Sequence, residues 1–278
     1  MPELPEVETI VRSLRPQLTS ATIQSPELLR KSSLVPKSLP LSALKDFQIT
    51  EIQRRGKLIL FTCQKAQNVL FLAIHLRMTG ALLIQDVTTS DAYTRAIFPL
   101  TKNDSSFALI FHDVRAFGTL FVATEAMLSA WPYWKTLGPE PLDLDFATFN
   151  AMLDRKAFCQ IKAILLDQHN LAGIGNIYAD ESLFAARIHP TCQARNIHEE
   201  SRKELLQAIQ SILHTAIDQC GCSIRNYRDA NGNAGAFQNT LAVFGKSGTP
   251  CPRCGKILQK STVAGRGTTT CPRCQKKP

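Results

Sequence analysis

The sequence predicts an α+β chain, with an N-terminal helix and an antiparallel β-sandwich followed by a helical half that closes in a small metal-binding ribbon. Three observations predict it. Short runs rich in β-branched and aromatic residues, separated by turn residues, occupy positions 49–123. Apolar residues at helical spacing take over in the second half. Four cysteines then fall as two Cys-x2-Cys pairs at the end of the chain.

The first element is a helix over 5–15. Pro5 suits its first turn, where a missing N–H costs nothing, and Val7, Ile10, Val11 and Leu14 share one face. Pro16 is expected to stop it. Strands are expected over 57–61, 69–74, 81–84, 96–100 and 107–111, as an antiparallel sandwich or barrel. Residues 1–135 form this first domain. A linker over 136–152 is indicated by Gly138, Pro139 and Pro141.

The helical domain spans 153–240. Ile161, Ile164 and Leu165, then Ile177, Leu183 and Phe184, mark two helices broken by Gly173 and Gly175. A third runs from Leu205 to Ile217, with Gly221 just past its end. Positions 223–248 are polar and glycine-containing and read as a mobile loop. Residues 241–278 form the ribbon.

The chain has 278 residues, 44% of them hydrophobic and 20% charged, enough for a buried core and too apolar for a disordered chain. The net charge of +9 favours nucleic acid or an anionic membrane as partner. No apolar run approaches the roughly 20 residues of a membrane span. The N-terminus carries three glutamates before Leu14 and no basic stretch at its start, unlike a secretory signal. A soluble, cytoplasmic, monomeric protein is expected. Charge is uneven: no acidic residue follows Asp229, while eight Lys and Arg do.

Nine cysteines, an odd number, argue against a disulfide framework. Cys251, Cys254, Cys271 and Cys274 have the spacing of a four-thiolate zinc site. With every position filled by protein, no place remains for a bound water, so one structural Zn²⁺ is expected rather than a catalytic one. Between the pairs, Arg266 sits flanked by Gly265 and Gly267 at the tip of a hairpin, where an arginine can meet a phosphate.

The N-terminal Pro2 carries chemistry of another kind. Once Met1 is removed, Pro2 is a secondary amine, and α-amino groups titrate at about 7.7–8.0. Such a group can attack the anomeric carbon of a sugar, expel its base and leave an iminium that promotes elimination. Glu3 and Glu6 are near enough in sequence to move the protons. The same residues also suit a plain helix start, with Glu6 and Glu8 favouring its positive end. The first eight residues by themselves favour that plainer role.

Seven ordered segments decide between the two. Met-Pro-Glu-Leu-Pro-Glu-Val-Glu-Thr at 1–9, Arg-Gly-Lys-Leu at 55–58, His-Leu-Arg-Met-Thr-Gly at 75–80 and Asp-Val-Arg-Ala-Phe-Gly at 113–118 are four of them. Leu-Gly-Pro-Glu-Pro-Leu at 137–142, Gly-Ile-Gly-Asn-Ile-Tyr-Ala-Asp-Glu-Ser-Leu-Phe at 173–184 and the cysteine ribbon complete the set. Together they resemble the formamidopyrimidine-DNA glycosylases, bacterial enzymes that repair 8-oxoguanine, over essentially the whole chain.

The resemblance implies a bifunctional glycosylase and abasic-site lyase of base excision repair. Its substrates would be 8-oxoguanine and formamidopyrimidines in double-stranded DNA, with strand nicking by β,δ-elimination, in a bacterial cytoplasm at the nucleoid. It implies Pro2 as Schiff-base nucleophile, Glu3 as acid/base at the deoxyribose ring oxygen and Glu6 as support. Lys57 would grip a phosphate beside the lesion. Gly173 to Asn176 would form the turn of a helix–two-turn–helix motif, and Asn176 and Arg266 would pinch the phosphates of the everted nucleotide. Lys162 would lie close to the DNA. Met78, Arg115 and Phe117 would fill the hole left by the everted base, with Arg115 bonded to the orphaned partner, favouring cytosine. The loop 223–238 would cap the flipped base.

This sequence departs from the family pattern at Val114, Ala116, Thr269 and Thr270, and 156–162 is less basic than usual. Two alternatives are an endonuclease VIII-like glycosylase for oxidised pyrimidines, whose opening carries glycine where this chain has Leu4, and a non-catalytic zinc-ribbon DNA-binding protein.

Overall fold

The computed structural model describes residues 1–86, 90–223 and 234–277. It divides into two compact units, Met1–Thr136 with Gln219–Ala236, and Leu137–Asp218 with Phe237–Pro278. The first unit thus takes in a segment that the sequence reading placed at the end of the helical domain.

The first unit opens on α1 (Leu4–Leu18), which buries Val7, Ile10, Val11 and Leu14 along one face. It runs through Pro16. A proline this close to the C-terminus removes a single amide donor, and the last turns of a helix have unsatisfied carbonyls in any case. Lys102 Nζ takes up two of those carbonyls, donating to Pro16 O at 2.9 Å and Gln17 O at 3.1 Å.

The strands are β1 (Thr22–Ile23), β2 (Glu27–Leu28), β3 (Gln48–Arg55), β4 (Leu58–Lys65), β5 (Asn68–His75), β6 (Gly80–Gln85), β7 (Thr94–Lys102), β8 (Ser105–Asp113) and β9 (Thr119–Ala123). They form one antiparallel sheet in the order β6-β8-β7-β1-β3-β4-β5-β9, with β2 paired to β7. The five strands expected from composition all appear, each longer by a few residues. Phe61 and Leu72 from one half of the sheet share one core with Phe98, Leu109 and Phe111 from the other. That shared interior gives the sandwich its two layers, and α1 packs into the same core through Val11 and Leu14. Two short helices, α2 (Glu125–Ala130) and α3 (Pro132–Lys135), follow β9.

The second unit contains α4 (Phe146–Arg155), α5 (Ile161–Leu166), α6 (Asn176–Ala185) and α7 (Glu199–Asp218), then the hairpin of β10 (Gln259–Val263) and β11 (Arg266–Thr270). The second half of the expected linker is therefore helical. Asp145 caps α4, its Oδ1 accepting from Thr148 N at 2.8 Å, and Phe149, Met152 and Leu153 bury its inner face. Arg202 on α7 fastens this helix by donating to Asn150 Oδ1 and Asp154 Oδ1 at 2.7 and 2.6 Å.

Positions 237–248 are held rather than mobile. The Glu181 carboxylate on α6 accepts from the amides of Ala242, Val243 and Phe244 at 2.7–2.9 Å. Three charge-assisted bonds to one buried carboxylate fix a stretch whose polar composition suggested a loose loop. The rest of that expected loop, 224–233, lies outside the described residues, as does most of the base-capping segment. Among the described residues, no helix is long and apolar enough to cross a membrane.

Candidate active site, strand-reading loops and metal centre

In the first unit, the start of α1 brings Pro2, Glu3 and Glu6 together as buried groups. Glu6 Oε2 accepts from Glu3 N at 2.8 Å, the reach-back half of a helix-capping box. Glu6 Oε1 accepts from Cys222 N at 2.8 Å. One carboxylate thus ties the N-terminus to residues 219–223. Gly221 makes this possible: its φ is +78°, and a Cβ there would lie 3.1 Å from Glu6 Oε1. The role of the 221–222 turn was not visible in the sequence, because its partner is more than two hundred residues away.

Lys57 occupies the tight turn between β3 and β4 behind Gly56, which has φ +56°. It is 3% exposed, deeper than a surface grip on phosphate requires. His75, at the end of β5, is buried as well, and its Nδ1 accepts from Arg77 N at 3.0 Å. Burial lowers the imidazole pKa to about 3, with the Arg77 and Lys57 charges pushing the same way. The ring is therefore neutral, and a neutral Nδ1 is what the Arg77 amide needs as acceptor.

Met78, Arg115 and Phe117 form one exposed group on two loops, 76–79 and 114–118. Arg115 Nη1 lies 3.1 Å from Met78 Sδ, and its guanidinium sits 4.8 Å from the Phe117 ring centroid. Met78 and Phe117 are 45% and 53% exposed. Core packing, the ordinary use of such side chains, does not describe them.

In the second unit, Lys162 is fully buried. Its Nζ donates to Asp180 Oδ1 and Thr268 Oγ1, both at 2.6 Å. Asp180 Oδ2 accepts from Thr269 N at 3.3 Å. Lys162, which the family resemblance sets close to DNA, is an internal bolt between α5, α6 and β11. Burial pushes the Asp180 carboxyl up to about 6 against the opposing pull of the Lys162 ammonium. Asn176, the first residue of α6, donates from Nδ2 to Gly267 O at 2.9 Å. Its Oδ1 is buried and has no hydrogen-bond partner.

Both contacts fasten the strand that begins with Arg266. Ala264 and Gly265 turn the hairpin with φ of +51° and +69°, the left-handed pair that two-residue hairpins use. Arg266 is exposed at the tip.

The hairpin stands on the four cysteines. Their sulfurs all lie within 4.8 Å of one another, with Cys251–Cys274 at 4.0 Å and Cys254–Cys271 at 3.4 Å. Metal–thiolate bonds near 2.3 Å in a tetrahedron require sulfur separations of about 3.8 Å. The donor set and its spacing fit one structural zinc ion, held by Cys251, Cys254, Cys271 and Cys274.

A β-sandwich unit, joined in sequence to a helical unit with a four-cysteine hairpin, is the domain combination of a class of DNA glycosylases. Residues 1–120 match the formamidopyrimidine-DNA glycosylase N-terminal domain, and 137–228 match the helix–two-turn–helix (H2TH) domain of the same enzymes. Residues 248–277 match the zinc finger found in FPG and IleRS. The formamidopyrimidine-DNA glycosylase of Heliobacterium modesticaldum is 43% identical over 264 residues, covering 92% of each chain. That of Chloroflexus aurantiacus is 42% identical, covering 95% of this chain and 94% of its own.

Among solved structures, a Lactococcus lactis FPG mutant complexed with Fapy-dG DNA superposes with a TM-score of 0.90 at 36% identity, covering 99% of this chain and 100% of that one. The MutM (FPG) protein of Thermus thermophilus does so with a TM-score of 0.87 at 38% identity, covering both chains fully. The chain belongs to the formamidopyrimidine-DNA glycosylase family, whose members are DNA-repair glycosylases acting on damaged bases.

Three outcomes follow from this geometry. His75 binds protons less readily folded (pKa about 3) than unfolded (pKa 6.5), so its contribution to stability falls as pH drops through that window. His75→Asn, which keeps an acceptor for Arg77 N, should flatten the dependence of unfolding free energy on pH between pH 4 and pH 6.5, measured by urea titration, by at most about 1.4 kcal/mol per pH unit. Lys162→Met strands the Asp180 carboxylate in the interior and should lower the stability of the second unit by about 3–5 kcal/mol. Protonation of Asp180 relieves that loss, so urea titrations should show it larger at pH 8 than at pH 5. Cys254→Ser should lose zinc by elemental analysis and the protection of hairpin amides in hydrogen exchange, while sandwich amides stay protected.

Proposed function

We propose that the protein excises oxidised purines, 8-oxoguanine and formamidopyrimidines, from duplex DNA and then nicks the strand, using the amine of Pro2 exposed by removal of Met1. The observation that carries this reading is the clamp at the start of α1. Glu6, with both oxygens engaged by backbone amides, fixes Glu3 immediately beside Pro2 in a buried setting.

With Met1 attached, the Pro2 nitrogen is an amide and has no lone pair to give. Freed, it attacks C1′ of the damaged nucleotide as the N-glycosidic bond breaks, and the base departs with that bond's electron pair and a proton. Glu3 delivers a proton to the ring oxygen as the sugar opens, leaving an iminium between Pro2 and C1′. The cationic iminium acidifies the C2′ proton, so elimination releases the 3′ phosphate and a second elimination releases the 5′ phosphate. Glu6 takes no part in proton movement; its oxygens are committed to the Glu3 and Cys222 amides.

The other residues divide by role. Arg266 and Asn176 engage phosphates. The Nδ2 bond to Gly267 O sets the Asn176 side chain beside the arginine's own strand. Lys57 adds positive charge beside His75. Lys162 acts through Thr268 rather than by touching DNA. Met78, Arg115 and Phe117 fill the space vacated by the everted base, since apolar wedges and an arginine offset lost stacking. Structures of the Lactococcus lactis relative include complexes with Fapy-dG DNA and with DNA carrying an oxidised pyrimidine. Purine lesions are the main substrates proposed here, with oxidised pyrimidines the second class to assay.

Borohydride reduction on an 8-oxoguanine:cytosine duplex should trap a covalent protein–DNA adduct, mapped by mass spectrometry to Pro2. Protein that retains Met1 should give none. Glu3→Gln should slow base release on the order of 10²–10⁴-fold. Equal trapping with Met1 in place would end the proposal.

A further inference from the structure

We infer that Asp113 is the positioning residue for reading the base opposite the lesion: its buried carboxylate holds together the two loops that carry Met78, Arg115 and Phe117. This rests on the proposed role of those three side chains.

Asp113 is the last residue of β8 and is fully buried, and the groups that bond its carboxylate all come from the two loops, while its backbone carbonyl accepts from Arg95 Nε on β7 at 2.8 Å. Its Oδ1 accepts from Thr79 Oγ1 at 2.5 Å and from Arg115 N at 3.2 Å. Its Oδ2 accepts from Gly118 N at 2.7 Å. Thr79 Oγ1 in turn accepts from Arg115 N at 3.1 Å. One carboxylate therefore bonds the residue after Met78, the amide of Arg115 and the residue after Phe117. No other single group among the described hydrogen bonds joins these three points.

Close packing leaves this arrangement little freedom. A Cβ on Gly118 would stand 2.5 Å from Phe111 Cζ and 3.1 Å from Asp113 Oδ2. A Cβ on Gly80, which pairs with Asp113 in the β6–β8 ladder, would stand 2.4 Å from Leu76 O. Both glycines permit the close approach that brings the loops to one carboxylate. Between them Ala116 turns the chain at φ +55°, carrying Arg115 and Phe117 onto the same outward side. The guanidinium contacts both the thioether and the phenyl ring. A side chain held in place before binding discriminates better than one that must be ordered on binding.

An arginine contributes sequence information only when its donors meet one base edge in a fixed geometry. Loosening the Asp113 junction should therefore leave Arg115 able to touch DNA but unable to choose between partner bases. Discrimination, rather than affinity as such, is the property at stake.

The test is anisotropy binding of full-length protein to a duplex bearing a non-cleavable tetrahydrofuran abasic analogue opposite either cytosine or adenine. Wild type should prefer cytosine by about tenfold, the discrimination one good base contact supplies. Asp113→Asn turns an acceptor into a donor facing amide donors and should bring the two affinities within about twofold of each other. Thr79→Val, which leaves the carboxylate its two amides, should give an intermediate ratio and decides the matter if Asp113→Asn does not fold. In an Arg115→Ala background neither substitution should change the ratio further. A wild-type ratio retained in a folded Asp113→Asn or in Thr79→Val overturns the inference, as does absence of any cytosine preference in wild type. Failure of the proposed chemistry would appear separately, in borohydride trapping, which this binding measurement does not use.

Discussion

Two adjacent carboxylates on α6 hold the second unit together. The chain beyond Asp229 contains eight lysines and arginines and no acid, so it brings no counter-charge of its own. Asp180 supplies one end of the connection, pairing with Lys162 and accepting from Thr269 on β11. Glu181 supplies the other, accepting three successive amides at 242–244. Buried polar groups are costly unless bonded, and here both carboxylates are bonded to the segment that also packs Val243 and Leu258 against Phe184. The cysteines shape the ribbon; the carboxylates decide where on the unit it stands. Arg253 adds a reciprocal contact, donating to Phe184 O at 3.1 Å while lying over the Phe184 ring.

The first unit uses the same device. Glu6 joins residue 3 to residue 222, and Asp113 joins residue 79 to residues 115 and 118. In each case a buried carboxylate accepts hydrogen bonds from segments of irregular backbone, which fixes direction as well as distance. Residues 1–3 and the loops 76–79 and 114–118 are irregular backbone. A buried acceptor is an economical way to make irregular backbone rigid without extending the sheet.

What was legible in the sequence follows from range. Strand runs, the face of α1 and the cysteine pairs are local patterns, and all of them recur in the fold. Singling out Pro2, Glu3 and Arg266 as candidates needed a pattern across the whole chain, because each is ordinary by itself. The start of α4 was hidden by the prolines and glycine before it, although Asp145 followed by Phe149, Met152 and Leu153 is a capped amphipathic turn. Pro16 misled because its rule applies to helix interiors. The place of Lys162 near DNA came from the resemblance alone, and its contacts to Asp180 and Thr268 had no local signal because both partners are distant along the chain. Asp113, His75 and Gly221 carried no signal beyond their family motifs or a helix stop, since their work is done by partners distant along the chain.

The return of residues 219–236 to the first unit makes that unit discontinuous. A fragment ending at residue 136 would contain the whole sheet and the terminal amine, yet Glu6 would have lost its Cys222 amide and faced an empty socket. Dissecting this enzyme by truncation would therefore disable its amino end from the far side of the polypeptide. The surroundings of Glu3 and Glu6 are completed only after residue 222 has been made, so a nascent or prematurely terminated chain carries its amino end in an unfinished state.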